Sequence, residues 1–198
     1  RNDNVLISAN ITQFSGITVD GGLSATTISA CTGIYTSNLY GCSPITVHDS
    51  IQSINSSATG TTSFAFGIGA QAYGDYSHAE GLGNIASGKG SHAEGGVDRD
   101  GLAAPTSATT FSSHAEGWGT LSSGWASHSE GHKTIASGND SHAEGSYTTA
   151  SEVDSHAEGG GTTASGEQSH AEGYGTIASI SSSHAEGKYT TASGTYSH

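Results

Sequence analysis

At 198 residues the chain holds one or two domains, and with 32% hydrophobic residues and 30 glycines it is too poor in large apolar groups for a conventional core. Its formal charge of −13, with five Lys and Arg, argues against nucleic acid as a partner. No run of 18 apolar residues is present, so no segment reads as a membrane span, and no signal peptide is recognisable.

Residues 1–62 read as short β segments. Val5-Leu6-Ile7, Ile17-Thr18-Val19, Thr26-Thr27-Ile28 and Ile45-Thr46-Val47 are β-branched or aliphatic, and Gly21-Gly22, Gly33, Gly41 and Pro44 punctuate them. Strands with so little apolar surface suit a shaft in which three chains share one core; a small β domain is the other reading. Cys31 and Cys42 fit no zinc motif. They form a disulfide if the protein matures outside a cell, and stay as two thiols if it folds in cytosol.

From Ser63 a repeat takes over. Ser-His-Ala-Glu-Gly recurs at Ser77, Ser91, Ser113, Ser141, Ser155, Ser169 and Ser183, as Ser-His-Ser-Glu-Gly at Ser127, and is cut off at Ser197-His198. The step is 14 residues except between Ser91 and Ser113, where it is 22. Ser63-Phe64-Ala65-Phe66-Gly67 fits the same frame with Phe in place of His and Glu. A fixed short period marks a solenoid, one coil per repeat. Counting the motif Ser as position 1, the coil reads S-H-A-E-G-x-x-T-x-A-S-G-x-x. Alternation along a strand puts positions 1, 3 and 5 on one face and His and Glu on the other. Thr, Ala and Gly at 8, 10 and 12 share a face in the same way. Two short strands per coil with both small faces inward make a flattened roll filled by Ser, Ala, Thr and Gly. Gly at position 5 suits a turn needing unusual backbone angles, whereas position 12 also holds Thr110, Glu152 and Ile180 and is more forgiving. The sequence begins at Arg1 and stops inside a motif, which reads as part of something longer.

The pattern S-x-A-x-G-x-x-[T/N/A]-x-A-x-G-x-x over residues 63–198 resembles the head repeat of YadA-type trimeric autotransporter adhesins. Its His/Glu version resembles head-like repeats of phage tail fibres, and the run from Ser24 to Pro44 is similar to tail-fibre shaft segments. The resemblance implies an all-β fold: a left-handed parallel β-roll, or β-solenoid, of 14-residue coils in a homotrimeric fibre, preceded by a β-rich shaft over 1–62. It implies mechanical reach and host-surface attachment by a phage or virion tail fibre, or by a bacterial autotransporter adhesin head. A cell-surface glycan or protein receptor is the implied partner, with no cofactor and no catalysis. A β-helical polysaccharide-degrading enzyme is a distant third reading. The implied location is a virion appendage or the extracellular surface.

The resemblance also points positions 2 and 4 toward neighbouring chains. The family usually has Val and Ile there. This chain has Phe64 and Phe66 in the first coil, then His78, Glu80, His92, Glu94, His114, Glu116, His128, Glu130, His142, Glu144, His156, Glu158, His170, Glu172, His184 and Glu186. Alternating His with Glu predicts a polar ladder of hydrogen-bonded pairs between chains or coils, and protonation against Glu would raise the His pKa. Metal rings built from the same His and Glu are the sharper alternative. An identical pair repeated along the chain is architecture, because an active site needs one unique arrangement.

The eight extra residues fall within Gly96–Pro105, and Asp98, Arg99 and Asp100 make a charged loop suited to receptor contact. Aromatic residues collect at coil corners: Trp118, Tyr147, Tyr174 and Tyr189 at positions 6 or 7, Phe111 and Trp125 at position 13. Such rings either bind sugar faces or pack over the roll edge. Thr149, Ser151, Thr163 and Ser165 begin a hydroxyl column of the kind that binds ice, but Ile85, Leu121, Ile135 and Ile177 interrupt it.

Overall fold

The computed structural model describes residues 51–52, 55–97 and 100–198, all within the unit Thr46–His198, with Ile51 and Gln52 described by backbone alone. The N-terminal β segments, Cys31, Cys42, Asp98 and Arg99 lie outside the described residues. Among the described residues, two parallel ten-stranded sheets account for every strand. Each repeat contributes one strand beginning at its His, such as His142–Ser146, and a two-residue strand, such as Thr149–Ala150. Consecutive repeats pair at one 14-residue step, so His142, Ala143, Glu144 and Gly145 face His156, Ala157, Glu158 and Gly159. The chain therefore winds as a parallel β-solenoid of about ten turns, as the 14-residue period predicts.

Inside lie methyl and hydroxyl groups, with the carboxamide of Asn84 as the exception. Ala at positions 3 and 10, Ser at position 1 and, apart from Ala70 and Asn84, Thr at position 8 are buried along the stack. Ser122 and Ser129 replace two of these alanines and divide the alanine column into two clusters, one ending at Ala115 and the next starting at Ala136. The Ser122 hydroxyl donates to the Ser127 carbonyl at 2.8 Å, so the interruption carries a hydrogen bond.

The two corners differ. At position 7 the amide donates to the position 6 carbonyl of the preceding coil, as in Tyr147 to His132 at 2.8 Å and Gly161 to Ser146 at 2.8 Å. The other corner is a four-residue turn, closed by the Ser141 amide on the Gly138 carbonyl at 3.4 Å and by the Ser141 hydroxyl on the same oxygen at 2.7 Å. Both corners need a left-handed residue. Position 14 meets this with Tyr76, Ser112, Ala126, Asp140, Asp154, Gln168, Ser182 and Tyr196, whose φ runs from 49° to 57°. Position 7 uses Lys133, Tyr147 and Tyr189 at 54° to 57° as well as glycines. A non-glycine residue in this region carries a cost of about 1–2 kcal/mol, and the corner hydrogen bonds hold it there. Position 5 is different. Its glycines have φ of 100° to 127°, and a Cβ on Gly145 would lie 2.2 Å from the Gly159 carbonyl oxygen. Backbone angle and close approach together explain why only Gly stands there.

The stack extends one coil below Ser63, into residues that the 14-residue frame leaves with the N-terminal segment. Ile51–Gln52 pairs with Phe64 and Ala65, and Ser57–Ala58 pairs with Gln71 and Ala72. That coil is one residue short in its first half and lacks the motif, because sheet pairing needs backbone and not His or Glu. The eight-residue insertion leaves the register intact: His92 still pairs with His114 and Ile85 with Ser107. The extra segment folds back at the position 6–7 corner through a Val97–Ala103 antiparallel bridge and an Ala104 amide bond to the Gly96 carbonyl at 2.9 Å. Buried Asn84 seats its root, donating to the Glu80 carbonyl at 2.5 Å and accepting from the Thr106 amide at 2.8 Å.

Candidate functional site

In-register parallel pairing puts each side chain above its own kind. On the outer face of the long-strand sheet, His78, His92, His114, His128, His142, His156, His170 and His184 form one pile of imidazoles. Their ring centroids are 4.5 to 4.8 Å apart and their planes within 7° of parallel. Phe64 closes the pile edge-on at 4.7 Å, and His198 closes the other end edge-on at 4.6 Å. The glutamates make a second column beside it. From His78–Glu80 to His170–Glu172, each Nε2 lies 3.4 to 3.9 Å from Oε2 of the Glu in its own coil. These contacts are too long or too bent for hydrogen bonds, and the eight motif Nε2 atoms are buried with no hydrogen-bond partner in the chain.

Within the chain His thus sits on His and Glu beside Glu. At three positions the pKa moves against expectation, down and not up. Burial, then the neighbouring imidazoles, hold His92, His128 and His156 below the ordinary histidine value, despite the glutamates that pull the other way. Glu94 is pushed up by burial first and by hydrogen bonding to Glu116 and Glu80 second. At a 4.7 Å repeat a charge on one ring is repelled by a charge on the next, which is the second cause of the lowering at these three positions.

His114, Glu116 and His128 bring three donor atoms within 4.8 Å of one another, as do His128, Glu130 and His142, and His156, Glu158 and His170. The residue types suit a divalent transition metal. The stacked rings point side by side, however, and two Zn–N bonds of about 2.1 Å span at most ~4.2 Å between nitrogens. Rings 4.7 Å apart must lean together before they can share an ion.

The corner at positions 6 and 7 holds the second concentration of chemistry. Trp118, His132 and Tyr147 follow one another at ring separations of 4.6 and 4.9 Å. Lys133 Nζ lies 5.0 Å from the Trp118 ring centre and 5.4 Å from that of Tyr147. Tyr174 and Tyr189 meet edge-on at 5.4 Å, with Lys188 Nζ 5.7 and 5.4 Å from their centres. Such lysine–ring contacts are attractive by about 0.5–1 kcal/mol when exposed. Trp118 also donates from Nε1 to the Leu102 carbonyl of the inserted loop at 2.9 Å, so it anchors that loop. Asp100 is exposed in the loop. Phe111 and Trp125 lie at the opposite corner, 6.0 Å apart. The aromatics of positions 6–7 and of position 13 thus lie at opposite corners. His132, Lys133 and Lys188 were missed; their signal is the position 6–7 column, visible only once the coils are aligned.

Known proteins bear on this arrangement in one way. The family described as the YadA head domain repeat (2 copies) matches residues 58–84, 129–151 and 157–179. No curated protein matches the chain. The matched stretches take in both sheets, both corners and the His and Glu columns described above. The coils within these stretches are YadA-like head repeats.

Proposed function

We propose that the protein is a structural and adhesive segment of a trimeric surface fibre, most closely a phage or virion tail fibre that gives reach and host attachment. One observation carries the assembly. Phe66 occupies the column that elsewhere holds Glu, and 56% of it is exposed in the single chain. It stands beside Ile68, also exposed, on a flat parallel sheet. Apolar rings left open on a repeated flat face mark a surface that another molecule covers. A second and third copy of the chain offer the same face in the same register. Stacking ten turns at ~4.8 Å gives a rod about 45 Å long, and reach is what such a rod supplies. YadA-type heads are surface adhesin repeats, which supports the same role and an extracellular location. Repetition of one His–Glu pair supports architecture over catalysis.

The His/Glu motif and the shaft-like segment 24–44 favour the tail-fibre reading. The head-repeat match equally suits a bacterial trimeric autotransporter adhesin, with a membrane anchor elsewhere in the gene. Sedimentation equilibrium of the intact chain tests the assembly: a species of three 19.8 kDa chains is expected, and Phe66→Arg shifts it toward monomer. A wild-type monomer at micromolar concentration overturns the reading. Antibody labelling of virions against labelling of the bacterial surface separates the two fibre types.

A further inference from the structure

The position 6–7 corner is not uniformly filled. In the coil that starts at Ser155, positions 6 and 7 are Gly160 and Gly161, while the coils on either side carry Tyr147 and Tyr174. The missing side chains leave a groove of about 380 Å³ lined by Ser146, Tyr147, Gly160, Tyr174 and Tyr189, with Gly161 in its floor. A groove of this size is at the small end of ligand clefts, about 300–1,000 Å³. Its geometry is built and not incidental. The Tyr174 ring lies over Gly160, where a Cβ would sit 3.0 Å from a ring carbon. Tyr189 backs Tyr174 in the same manner over Gly175, where a Cβ would sit 2.7 Å from the ring. Above Gly161 nothing comes within 4 Å of a Cβ, so the floor opens outward. The walls are stiff: the Gly161 amide bonds the Ser146 carbonyl at 2.8 Å and the Gly175 amide bonds the Gly160 carbonyl at 2.7 Å.

Tyr147 and Tyr174 belong to the coils on either side of the glycine coil, and the Tyr174 ring leans over Gly160. Exposed phenol faces along a shallow groove suit a ring with C–H bonds to place on them, which is a pyranose. Charge narrows the choice. Lys89, Lys133 and Lys188 are the lysines of a chain with net charge −13, and two of the three flank this groove. Lys133 stands over its Tyr147 wall, and Lys188 stands over its Tyr174 wall. No coil places an acid at position 6 or 7; Asp100 belongs to the inserted loop. The neighbouring carboxylates Glu144, Glu158 and Glu172 belong to the sheet-face column, two residues before the corner. We propose that the Tyr147–Gly161–Tyr174 groove binds a carboxylated pyranose of a surface polysaccharide, with the sugar ring against tyrosine and its carboxylate toward Lys133 or Lys188. This rests on the adhesive reading above and names the ligand class of the attachment.

The decisive variant is Gly161→Tyr. Tyr147 and Tyr189 already occupy the equivalent corner at φ of 57° and 56°, close to the 63° of Gly161, so the substitution fills the groove in a backbone known to accept it. Intact chain and variants are titrated by saturation-transfer NMR and calorimetry. The probes are a glucuronate-containing hyaluronan tetrasaccharide, 3′-sialyllactose, and the neutral sugars chitotetraose and lactose. Binding of one acidic probe at least tenfold tighter than its neutral counterpart is expected, and which one binds identifies a uronate or a sialate. Gly161→Tyr abolishes it with an unchanged circular dichroism spectrum and a melting temperature lowered by no more than ~3 °C. Tyr147→Ala weakens it tenfold or more, Lys133→Ala with Lys188→Ala removes the preference for acid, and Tyr196→Ala on the opposite corner changes nothing. Equal affinity for neutral sugars overturns the carboxylate assignment. Binding that survives Gly161→Tyr overturns the site, and no binding of any probe overturns the proposal. A trimer that still adheres to cells but ignores all four sugars sinks this inference and leaves the fibre reading standing.

Discussion

Two glycines of one coil, two residues apart, should respond in opposite ways to the same added methyl group. Gly159 has φ of 102°, and a Cβ there would lie 2.1 Å from the Gly173 carbonyl oxygen. Ordinary C···O contacts begin near 3.3 Å, so the overlap is about 1.2 Å against backbone. Relief requires strands His156–Gly160 and His170–Tyr174 to part, and their five register pairs resist this. Loss of two or three ladder hydrogen bonds at about 1 kcal/mol each, with 1–2 kcal/mol for the backbone angle, gives roughly 3–5 kcal/mol for Gly159→Ala. Gly161 has φ of 63° with open space above it, so Gly161→Ala carries only the left-handed term, about 1 kcal/mol. At about 2–4 °C per kcal/mol for a chain of this size, the melting temperature falls by roughly 10 °C in the first case and by ~3 °C in the second. Circular dichroism melts measure the difference, and hydrogen exchange should localise the Gly159→Ala loss to the coils around it, since neighbours alone interact in a solenoid. Equal shifts for the two variants would refute the claim that carbonyl approach, and not turn conformation alone, fixes glycine at position 5.

The serine column gives a second contrast: Ser141 donates to the Gly138 carbonyl at 2.7 Å, whereas the Ser77 hydroxyl is buried without a partner. Ser141→Ala should therefore lose about 1 kcal/mol and Ser77→Ala none or less than none, read from urea midpoints. Ala150 is fully buried between two sheets held apart by methyl groups, so Ala150→Val should overpack it by about 1–3 kcal/mol and lower the melting temperature. Acid should weaken the fold. His92, His128 and His156 titrate below the ordinary value of 6.5, so the unfolded chain binds their protons more readily. Their contribution is complete above pH 6.5 and is lost as pH falls toward the folded values. Glu94, raised above 4.5, favours the folded state more at the acid end and opposes this only at lower pH. A melting temperature that rises between pH 7 and pH 5.5 would contradict the stacked-imidazole account.

Much of the coil was legible because two constraints act on every repeat at once. Small residues at positions 1, 3, 8 and 10 fill the space between the sheets, with Asn84 the larger exception at the loop root, and strand alternation places them without knowledge of the third dimension. What escaped had no side-chain signature. The coil formed by Ile51–Gln52 and Ser57–Ala58 pairs through backbone alone. The left-handed corner at position 14 is filled by Tyr, Ser, Ala, Asp and Gln, whose identities give no hint of it, because the amide bond to the coil below holds the angle. The outer columns follow from the fixed period: in-register parallel pairing converts His–Glu alternation along each strand into two columns of like on like. The lowered pKa of His92, His128 and His156 was not legible, because it depends on burial of the stacked rings.

That conversion bears on where specificity resides in this molecule. A face on which each coil repeats its neighbour can bind only a partner with the same repeat, and a copy of the chain has it. Discrimination among foreign ligands requires a position at which neighbouring coils differ. Positions 6 and 7 vary through Trp118, His132-Lys133, Ser146-Tyr147, Gly160-Gly161, Tyr174 and Lys188-Tyr189, whereas positions 2 and 4 stay His and Glu throughout those coils. Pairing makes no demand on the corner side chains, since the corner hydrogen bond uses only the main chain. Substitution is therefore free to change the ligand there without disturbing the roll. The inserted loop enters at the same corner for the same reason, and Trp118 holds it beside the aromatic row. Exchanging corner residues between coils should therefore alter binding of the sugar probes while leaving the sedimentation mass of the protein unchanged.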